Sequence, residues 1–336
     1  MKEAIVSKGP TVQIVDSPIP KPGPDDVVIK VVYAGSNPKD WKLPDWVGTT
    51  ANQGDDVAGT IHEVGSHVTE FKPGDRVMAF HVMQAPHGAW AEYSLAPAHT
   101  TAHLPAETSF EQGAAVPLAA LTAAVGLYLR LGLPEPWRPA KEPTPLVVYG
   151  AASAVGAYVV QLAKKSNIHP LICVAGNSQD YVKSFLDPSK GDTVVDYRAG
   201  DEAVVEGIRK ALGGLKLFHA YDAVSEKGSY QNISKVLERG SKITLVLPFK
   251  SYDEIPDYVE QAVTSVGCVH DDDKDFGFVY FRYIARGLKE GWFRAQPTEV
   301  VPGGLGGVQY ALEQLKEGKV NAKKLVFEVK ATEGVN

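Results

Sequence analysis

The stretch Val147–Gly156 reads VVYGAASAVG. An apolar run, a turn of small residues and the start of an amphipathic segment form the pattern that offers backbone N–H groups to an anion at a helix N-terminus. Gly150 suits the tight turn, and Gly156 suits close packing of a helix on a sheet. Between them Ala151, Ala152, Ser153, Ala154 and Val155 are small enough to let a pyrophosphate approach the backbone. The glycine fingerprint is degenerate, because Ala151 and Ser153 stand where glycines are usual. The next apolar run ends in Val174, Ala175 and Gly176, with no acid to take the ribose hydroxyls of NAD. Asn177 and Ser178 follow as neutral hydrogen bonders at a helix start, and the third run ends in VVDYR. Neighbouring strands would bring Tyr197 and Arg198 to a 2′-phosphate, so the expected cofactor is NADPH; the alternative is that Arg198 is a solvated surface charge.

These residues need a parallel sheet behind them. Strands are expected at Leu146–Tyr149, Leu171–Val174, Thr193–Asp196, Leu217–Asp222, Ile243–Leu247 and Ser265–Val269, separated by amphipathic segments such as Ala154–Lys165 and Ala203–Leu212. That alternation predicts a doubly wound parallel sheet. The first hundred residues read differently, as short strands between turns: Val27–Tyr33 is a strong β run, Val57–Val64 a weaker one, and Gly65-Ser66 and Pro73-Gly74 mark turns. A barrel-like β domain is expected there. The last stretch returns to strand, helix and strand, ending in AKKLVFEV, and is expected to rejoin the N-terminal part.

Composition narrows the function classes. The chain has 336 residues, is 44% hydrophobic and carries a net charge of −6, values that give no general attraction to nucleic acid or an anionic membrane. Two cysteines, Cys173 and Cys268, exclude a disulfide framework and a four-cysteine zinc lobe; two buried, reduced thiols in a cytoplasmic protein are expected. MKEAIVSKGP holds no long apolar run, so no secretory signal is expected. The uncharged stretch Gln112–Leu129 approaches the length of a membrane span, but its Ala, Gly and Pro117 content predicts a buried helix between domains.

Several segments carry a family resemblance. GSNPKDWK (Gly35–Lys42), GDDVAGTIHEVGSHVTEFKPGDRVMAF, GAWAEY (Gly88–Tyr93), PLAALTAAVGL and GKVNAKKLVFEV follow in one order. Over essentially its whole length the chain resembles medium-chain dehydrogenases/reductases of the zinc-free quinone and enoyl reductase branch, and within that branch it is similar to fungal members, including trans-acting enoyl reductases and yeast-type aldehyde reductases. The resemblance implies an α/β architecture: a GroES-like β-barrel catalytic domain over residues 1–116 and 270–336, and a Rossmann domain over 117–269. It places Asn37, Asp55 and Leu118 where zinc-dependent relatives carry Cys, His and Cys. No metal site is therefore expected, since a Zn²⁺ site needs at least three such ligands.

Without a Lewis acid, oxidation of a simple alcohol is disfavoured, whereas hydride addition to a conjugated carbon needs only hydrogen-bond donors for the enolate oxygen. The expected activity is NADPH-dependent reduction of an enone, 2-alkenal, enoyl thioester or quinone. A zinc-free aldehyde or ketone reductase is the alternative, and a non-enzymatic NADPH-binding protein with a structural or RNA-binding role the third. The expected partner is a small conjugated carbonyl or quinone, with a monomer or homodimer both open. Candidate catalytic or substrate-contacting residues are Asn37, Asp40, Trp41 and His81, with Trp46 and His87 behind them. Each has a structural alternative: Asn37 in a turn, Asp40 paired with a lysine or capping a helix, the tryptophans in the core, the histidines satisfied by neighbours. By resemblance Thr122, Val224, Leu247 and Lys324 join the cofactor set. Asp222 could instead cap a helix, and the acidic run His270–Asp275 lacks calcium-loop spacing and reads as solvated.

Overall fold

The computed structural model describes residues 1–335, which form fifteen strands and fall into two units, Met1–Leu118 with Gly267–Asn336 and Ala119–Val266. In chain order the first unit contributes β1 (Lys2–Ser7), β2 (Thr11–Asp16), β3 (Asp26–Gly35), β4 (Asp56–Val64), β5 (Arg76–Phe80), β6 (Tyr93–Pro97) and β7 (Thr101–His103). The second contributes β8 (Leu146–Tyr149), β9 (Leu171–Ala175), β10 (Thr193–Asp196), β11 (His219–Asp222), β12 (Lys242–Leu245) and β13 (Glu260–Val263). The chain then returns to the first unit with β14 (Thr298–Val301) and β15 (Lys324–Glu328).

In the first unit β1 and β2 form a hairpin, and a mixed sheet runs β14-β15-β3-β4-β5-β7. At ten residues β3 is long enough for one edge to serve two partners: Asp26–Lys30 pair with β6, and Tyr33–Gly35 pair with β15. Bulges between Val28 and Ile29 and between Val31 and Tyr33 bend it against β4. The alternating inward residues Val27, Ile29, Val31, Val57, Val77 and Phe327 build the core. The antiparallel pairing of Val326 with Gly35 joins chain segments almost three hundred residues apart. Gly35 permits this close approach, because a Cβ there would lie 2.3 Å from Ala114 O and 3.1 Å from Lys324 Cε.

In the second unit the sheet is parallel throughout, in the order β10-β9-β8-β11-β12-β13. This is the doubly wound arrangement the alternation predicts, with β8, the strand feeding VVYGAASAVG, at its centre. Two expectations need correction. The sixth strand is not Ser265–Val269, which coils into a 3₁₀ turn at Val266–His270; it is the polar segment Glu260–Val263. As an edge strand β13 is solvated on one side and tolerates Glu and Gln, so the apolar run nearby misleads. The fifth strand ends at Leu245 rather than Leu247, because Val246 N–H turns to donate to Ser225 Oγ and Pro248 follows. Gln112–Leu129 forms a short helix at Phe110–Gly113, a helix at Pro117–Ala124 and a π-helical turn at Val125–Arg130, buried through Tyr128. Among the described residues no helix is long and apolar enough to cross a membrane. Cys173 is buried and burial raises its thiol pKa, whereas Cys268 is partly exposed rather than buried as expected.

Candidate functional site

The loop after β8 is built from backbone. Gly150 has φ +75°, and a Cβ on it would lie 2.5 Å from Val224 Cγ2. A Cβ on Gly156 would lie 2.2 Å from Gly150 O and 2.8 Å from Ala151 Cα. The loop therefore folds back on the first turn of the helix Ala154–Lys165 so closely that Gly156 excludes a side chain, while Gly150 is held to glycine by its positive φ and by the Val224 side chain beside it. Ser153 is the N-cap: its Oγ accepts from Gly156 N–H at 3.0 Å, and its own N–H donates to Gly150 O at 2.9 Å. Ala151 is buried, while Ala152, Ser153, Ala154 and Val155 stay partly accessible at the positive end of the helix. Asp222, at the end of β11, pins the neighbouring loop. Its Oδ1 accepts from Val224 and Ser225 N–H at 2.9 and 2.8 Å, and its Oδ2 accepts from Ser229 Oγ at 2.6 Å. Burial raises the Asp222 pKa, against the pull of those donors.

The ends of β9 and β10 bring together the residues read as the phosphate end. The hydroxyl end of the Tyr197 ring lies against Gly176, where a Cβ would be 2.7 Å from Cε1 and Cζ. Arg198 Nε donates to Asp196 Oδ1 at 2.9 Å, its Nη2 donates to Asp196 Oδ2 at 2.6 Å, and its Nη1 donates to Asn177 Oδ1. Ser178 takes the N-cap position of the short helix Gln179–Lys183 without a side-chain capping bond. Hydrogen bonds from Arg198 pull the Asp196 carboxyl down to about 2. Asp196 is a residue that sequence reasoning passed over, although it stands one residue before Tyr197.

A second polar cluster lies inside the first unit, made of charges. Asp40, Asp55 and Asp56 are fully buried, and Asn37 and Lys324 nearly so. Lys324 Nζ donates to Asn37 Oδ1 at 2.6 Å and to Asp56 Oδ2 at 2.7 Å; Asn37 Nδ2 donates to the same Asp56 oxygen at 2.8 Å. Leu118 N–H completes Asp56 at 2.6 Å. Beside this group, Lys39 Nζ lies 2.9 Å from Asp40 Oδ1 and 2.5 Å from Asp55 Oδ2. Asp55 Oδ1 meets His81 Nδ1 at 2.9 Å, and His81 Nε2 meets Pro86 O at 3.0 Å. Asp40 Oδ2 accepts from Asn37 N–H at 2.6 Å. Burial raises Asp40 to about 7 although Lys39 pulls it down; burial also opposes the charge of Asp55, yet Lys39 and His81 hold that carboxyl low. Burial likewise opposes the Lys39 charge, and Asp40 and Asp55 outweigh it. Asn37, Asp40 and His81 thus share one network. Sequence reasoning missed Lys39 and Asp56, whose neighbours Asp40 and Asp55 it had singled out.

This donor set does not suit a zinc ion. Leu118 offers a backbone N–H and no ligand atom, and the ammonium groups of Lys324 and Lys39 already lie within hydrogen-bond distance of the oxygens of Asn37, Asp56 and Asp55. A dication at this place would have to displace the buried Lys324 ammonium and the partly buried Lys39 ammonium.

Other candidates lie elsewhere. Trp41 packs half-buried on the first unit's core, edge-on to Trp46 at 6.2 Å between centroids, and Trp46 is 46% exposed. His87 has φ +66° and its carbonyl accepts from Ser94 Oγ. The Thr122 carbonyl accepts from Tyr221 OH at 2.8 Å inside the second unit. The Leu247 carbonyl accepts from Tyr252 OH at 2.6 Å. Lys324, expected with the cofactor set, is 4% exposed with its ammonium on Asn37 and Asp56. Beyond the candidates, His270 is partly buried in the first unit; its Nε2 lies 3.2 Å from both Phe80 O and Thr100 Oγ1, and burial lowers its pKa to about 4. In the run that contains it, Asp271 and Asp272 are exposed and Asp273 is the N-cap residue of the helix Lys274–Glu290.

Comparison with known proteins agrees with this architecture. Residues 23–106 match the alcohol dehydrogenase GroES-like domain. The trans-enoyl reductase fsr4 of Gibberella fujikuroi is 56% identical over 308 residues, covering 90% of this chain and 91% of that protein. Among solved structures, an alcohol dehydrogenase superfamily protein from Novosphingobium aromaticivorans superposes with TM-score 0.81 at 18% identity, covering 98% of this chain and 99% of the other. The quinone oxidoreductase from Coxiella burnetii superposes with TM-score 0.78 at 22% identity, again covering 98% and 99%.

Proposed function

This chain belongs to the trans-enoyl reductase family of medium-chain dehydrogenases/reductases, and from that premise we propose that it is an NADPH-dependent, zinc-independent reductase of a carbon–carbon double bond conjugated to a carbonyl. The family makes it an oxidoreductase with a nicotinamide cofactor; the choice of NADPH and the independence of zinc are our reading. The observation that carries the cofactor choice is the Asn177, Tyr197 and Arg198 group beside an acid-free end of β9. The donor set around Asn37, Asp55 and Leu118 supports independence of zinc, because lysine ammonium groups already neutralise its carboxylates.

The nicotinamide supplies a hydride when bound. The chain's own part begins with Gly150 and Gly156, which bring the backbone close enough for a pyrophosphate to reach the N–H groups of the helix start at Ala154. Ser153 fixes that helix start by capping it. Arg198 and Tyr197 would take the 2′-phosphate, and Asn177 steadies the guanidinium. Hydride on the β-carbon of a conjugated carbonyl leaves negative charge on the carbonyl oxygen as an enolate, which needs donors rather than a metal. A proton then adds to the α-carbon, and the double bond is saturated with the carbonyl intact.

The test is NADPH and NADH oxidation with a 2-alkenal, a quinone and a saturated aldehyde, with products identified. A saturated product that keeps its carbonyl, formed faster with NADPH, is expected. An allylic alcohol would replace this reading with aldehyde reduction. A preference for NADH of tenfold or more would overturn the cofactor assignment. Stoichiometric zinc whose chelation abolishes turnover would overturn independence of the metal.

A further inference from the structure

Asp196 stands where the phosphate reading least wants a negative charge. A carboxylate a few ångströms from a 2′-phosphate repels it, and on that ground alone its removal should tighten NADPH binding. The geometry argues the other way. Asp196 binds Arg198 through both carboxylate oxygens, with Nε at 2.9 and 3.1 Å and Nη2 at 2.6 Å, and its Oδ1 also accepts Arg198 N–H at 3.0 Å. Gln179 Nε2 steadies the carboxylate from the following helix, donating to Oδ2 at 2.8 Å. Nη1 of the same guanidinium donates to Asn177 Oδ1. Of the five N–H donors of an arginine, Nε, one on Nη2 and one on Nη1 are committed, and two remain for a ligand. The Arg198 side chain is 49% exposed, and an exposed arginine without such a fork samples many rotamers. Here it is stretched between the end of β10 and the loop after β9, beside the Tyr197 ring on Gly176.

We infer that Asp196 is a positioning residue for cofactor choice: it holds the Arg198 guanidinium where its two remaining N–H groups meet a nucleotide 2′-phosphate, so that removing this carboxylate weakens the phosphorylated cofactor's binding. The inference rests on the NADPH reading above. Repulsion and positioning predict opposite signs for one substitution, which makes the case decidable.

The experiment measures dissociation constants for NADPH and NADH by fluorescence titration of the full chain and its variants. Asp196→Asn is expected to weaken NADPH roughly five- to tenfold while NADH stays within about twofold. Asp196→Glu, which can re-form the fork, should recover part of the loss. Arg198→Ala should lose at least as much NADPH affinity as Asp196→Asn, and the double variant should be no weaker than Arg198→Ala alone, because Asp196 acts through Arg198. NADPH binding that is unchanged or tighter in Asp196→Asn overturns the inference and leaves the cofactor reading standing. Equal losses for NADH and NADPH also overturn it, marking Asp196 as a general support of the fold. A wild-type chain that prefers NADH overturns the cofactor reading and this inference together.

Discussion

The loop after β8 and the cluster around Asp56 are both polar sites, and they are built on opposite principles. The loop is partly exposed and works through backbone: two glycines, a capping serine and a helix end, with no charged side chain between Gly150 and Gly156. The cluster is buried and works through side chains: three carboxylates at 0% exposure balanced by Lys39 and Lys324. A site of the first kind suits an anion, because N–H groups at a helix N-terminus meet no competing negative charge there. The second kind is internally neutralised; its charges hold one another and fix the chain segments that carry them. The contrast teaches that buried charge is not by itself a catalytic signal, because Asp40, Asp55 and Asp56 each have a partner in place.

The largest expected effect comes from breaking that balance. Lys324→Met leaves the buried Asp56 carboxylate with only the Asn37 amide and Leu118 N–H, and removing one partner of such a pair costs about 3–5 kcal/mol. Urea denaturation at pH 7 should show it, and Asp56→Asn in the same chain should recover much of the loss. A cost below about 1 kcal/mol for the single change would mean that the Lys324 ammonium does not sustain the cluster.

Acid is a second way to separate the regions, since the loop holds no titrating group and the first unit holds several that pull in opposite directions, His270 and Asp40 among them. His270 titrates at about 4 in the fold against an ordinary 6.5, so the unfolded chain takes up a proton first, and stability is lost as pH falls from 6.5 towards 4. Asp40 titrates at about 7 against 3.8, so the fold holds an extra proton, and that stability is lost as pH rises from 3.8 towards 7. Removing His270 should lessen the loss on acidification, while Asp55 and His99, both held low, still oppose Asp40. His270→Gln is expected to raise stability at pH 5 relative to pH 7 by on the order of 2 kcal/mol over wild type. An unchanged difference between the two pH values would show that His270 is protonated in the fold.

Within the loop, Gly156→Ala drives a Cβ against Gly150 O at 2.2 Å, where both neighbours are backbone and cannot swing aside. A cost of about 1–3 kcal/mol and a matching fall in dinucleotide affinity are expected, read by thermal melting and titration. At Gly176 the obstacle is the exposed Tyr197 ring, which can move, so Gly176→Ala should spare stability and weaken NADPH more than NADH.

The two regions also differ in how far the sequence announces them. The loop is local: strand, turn, cap and helix lie within Val147–Lys165, and the helix boundaries agree with the apolar period. The grouping of Asn177, Tyr197 and Arg198 is legible because parallel neighbours end side by side. Asp196 is not legible there, because its meaning depends on the direction of one arginine side chain. The buried cluster was half legible. Asn37, Asp40 and Asp55 stood out as polar residues in family segments, but their partners did not. Lys324 reaches Asn37 across 287 positions and Asp56 across 268, through the β3–β15 pairing, which no local pattern encodes. The sixth strand escapes the sequence pattern for a related reason: apolar content marks a buried strand, and β13 is a polar edge.

Ser153 gives the smallest effect on stability and the finest test of the contrast. Its Oγ accepts from Gly156 N–H, the bond of an N-cap, and Ser153→Ala should cost about 1 kcal/mol by thermal or urea unfolding. If capping is its whole role, dinucleotide affinity should change by less than about twofold. A larger loss would mean that the hydroxyl also donates to a phosphate oxygen. Ser153→Asp separates the two functions. Aspartate caps a helix as well as serine does, so stability should return to the wild-type value. A carboxylate at that point also occupies the region the loop keeps free of charge, and NADPH and NADH should both bind roughly tenfold more weakly. Such a variant, restored in folding and impaired in binding, would show that the loop depends on the absence of negative charge. Equal affinity in Ser153→Asp would instead place the pyrophosphate away from the helix start and break the comparison at its base.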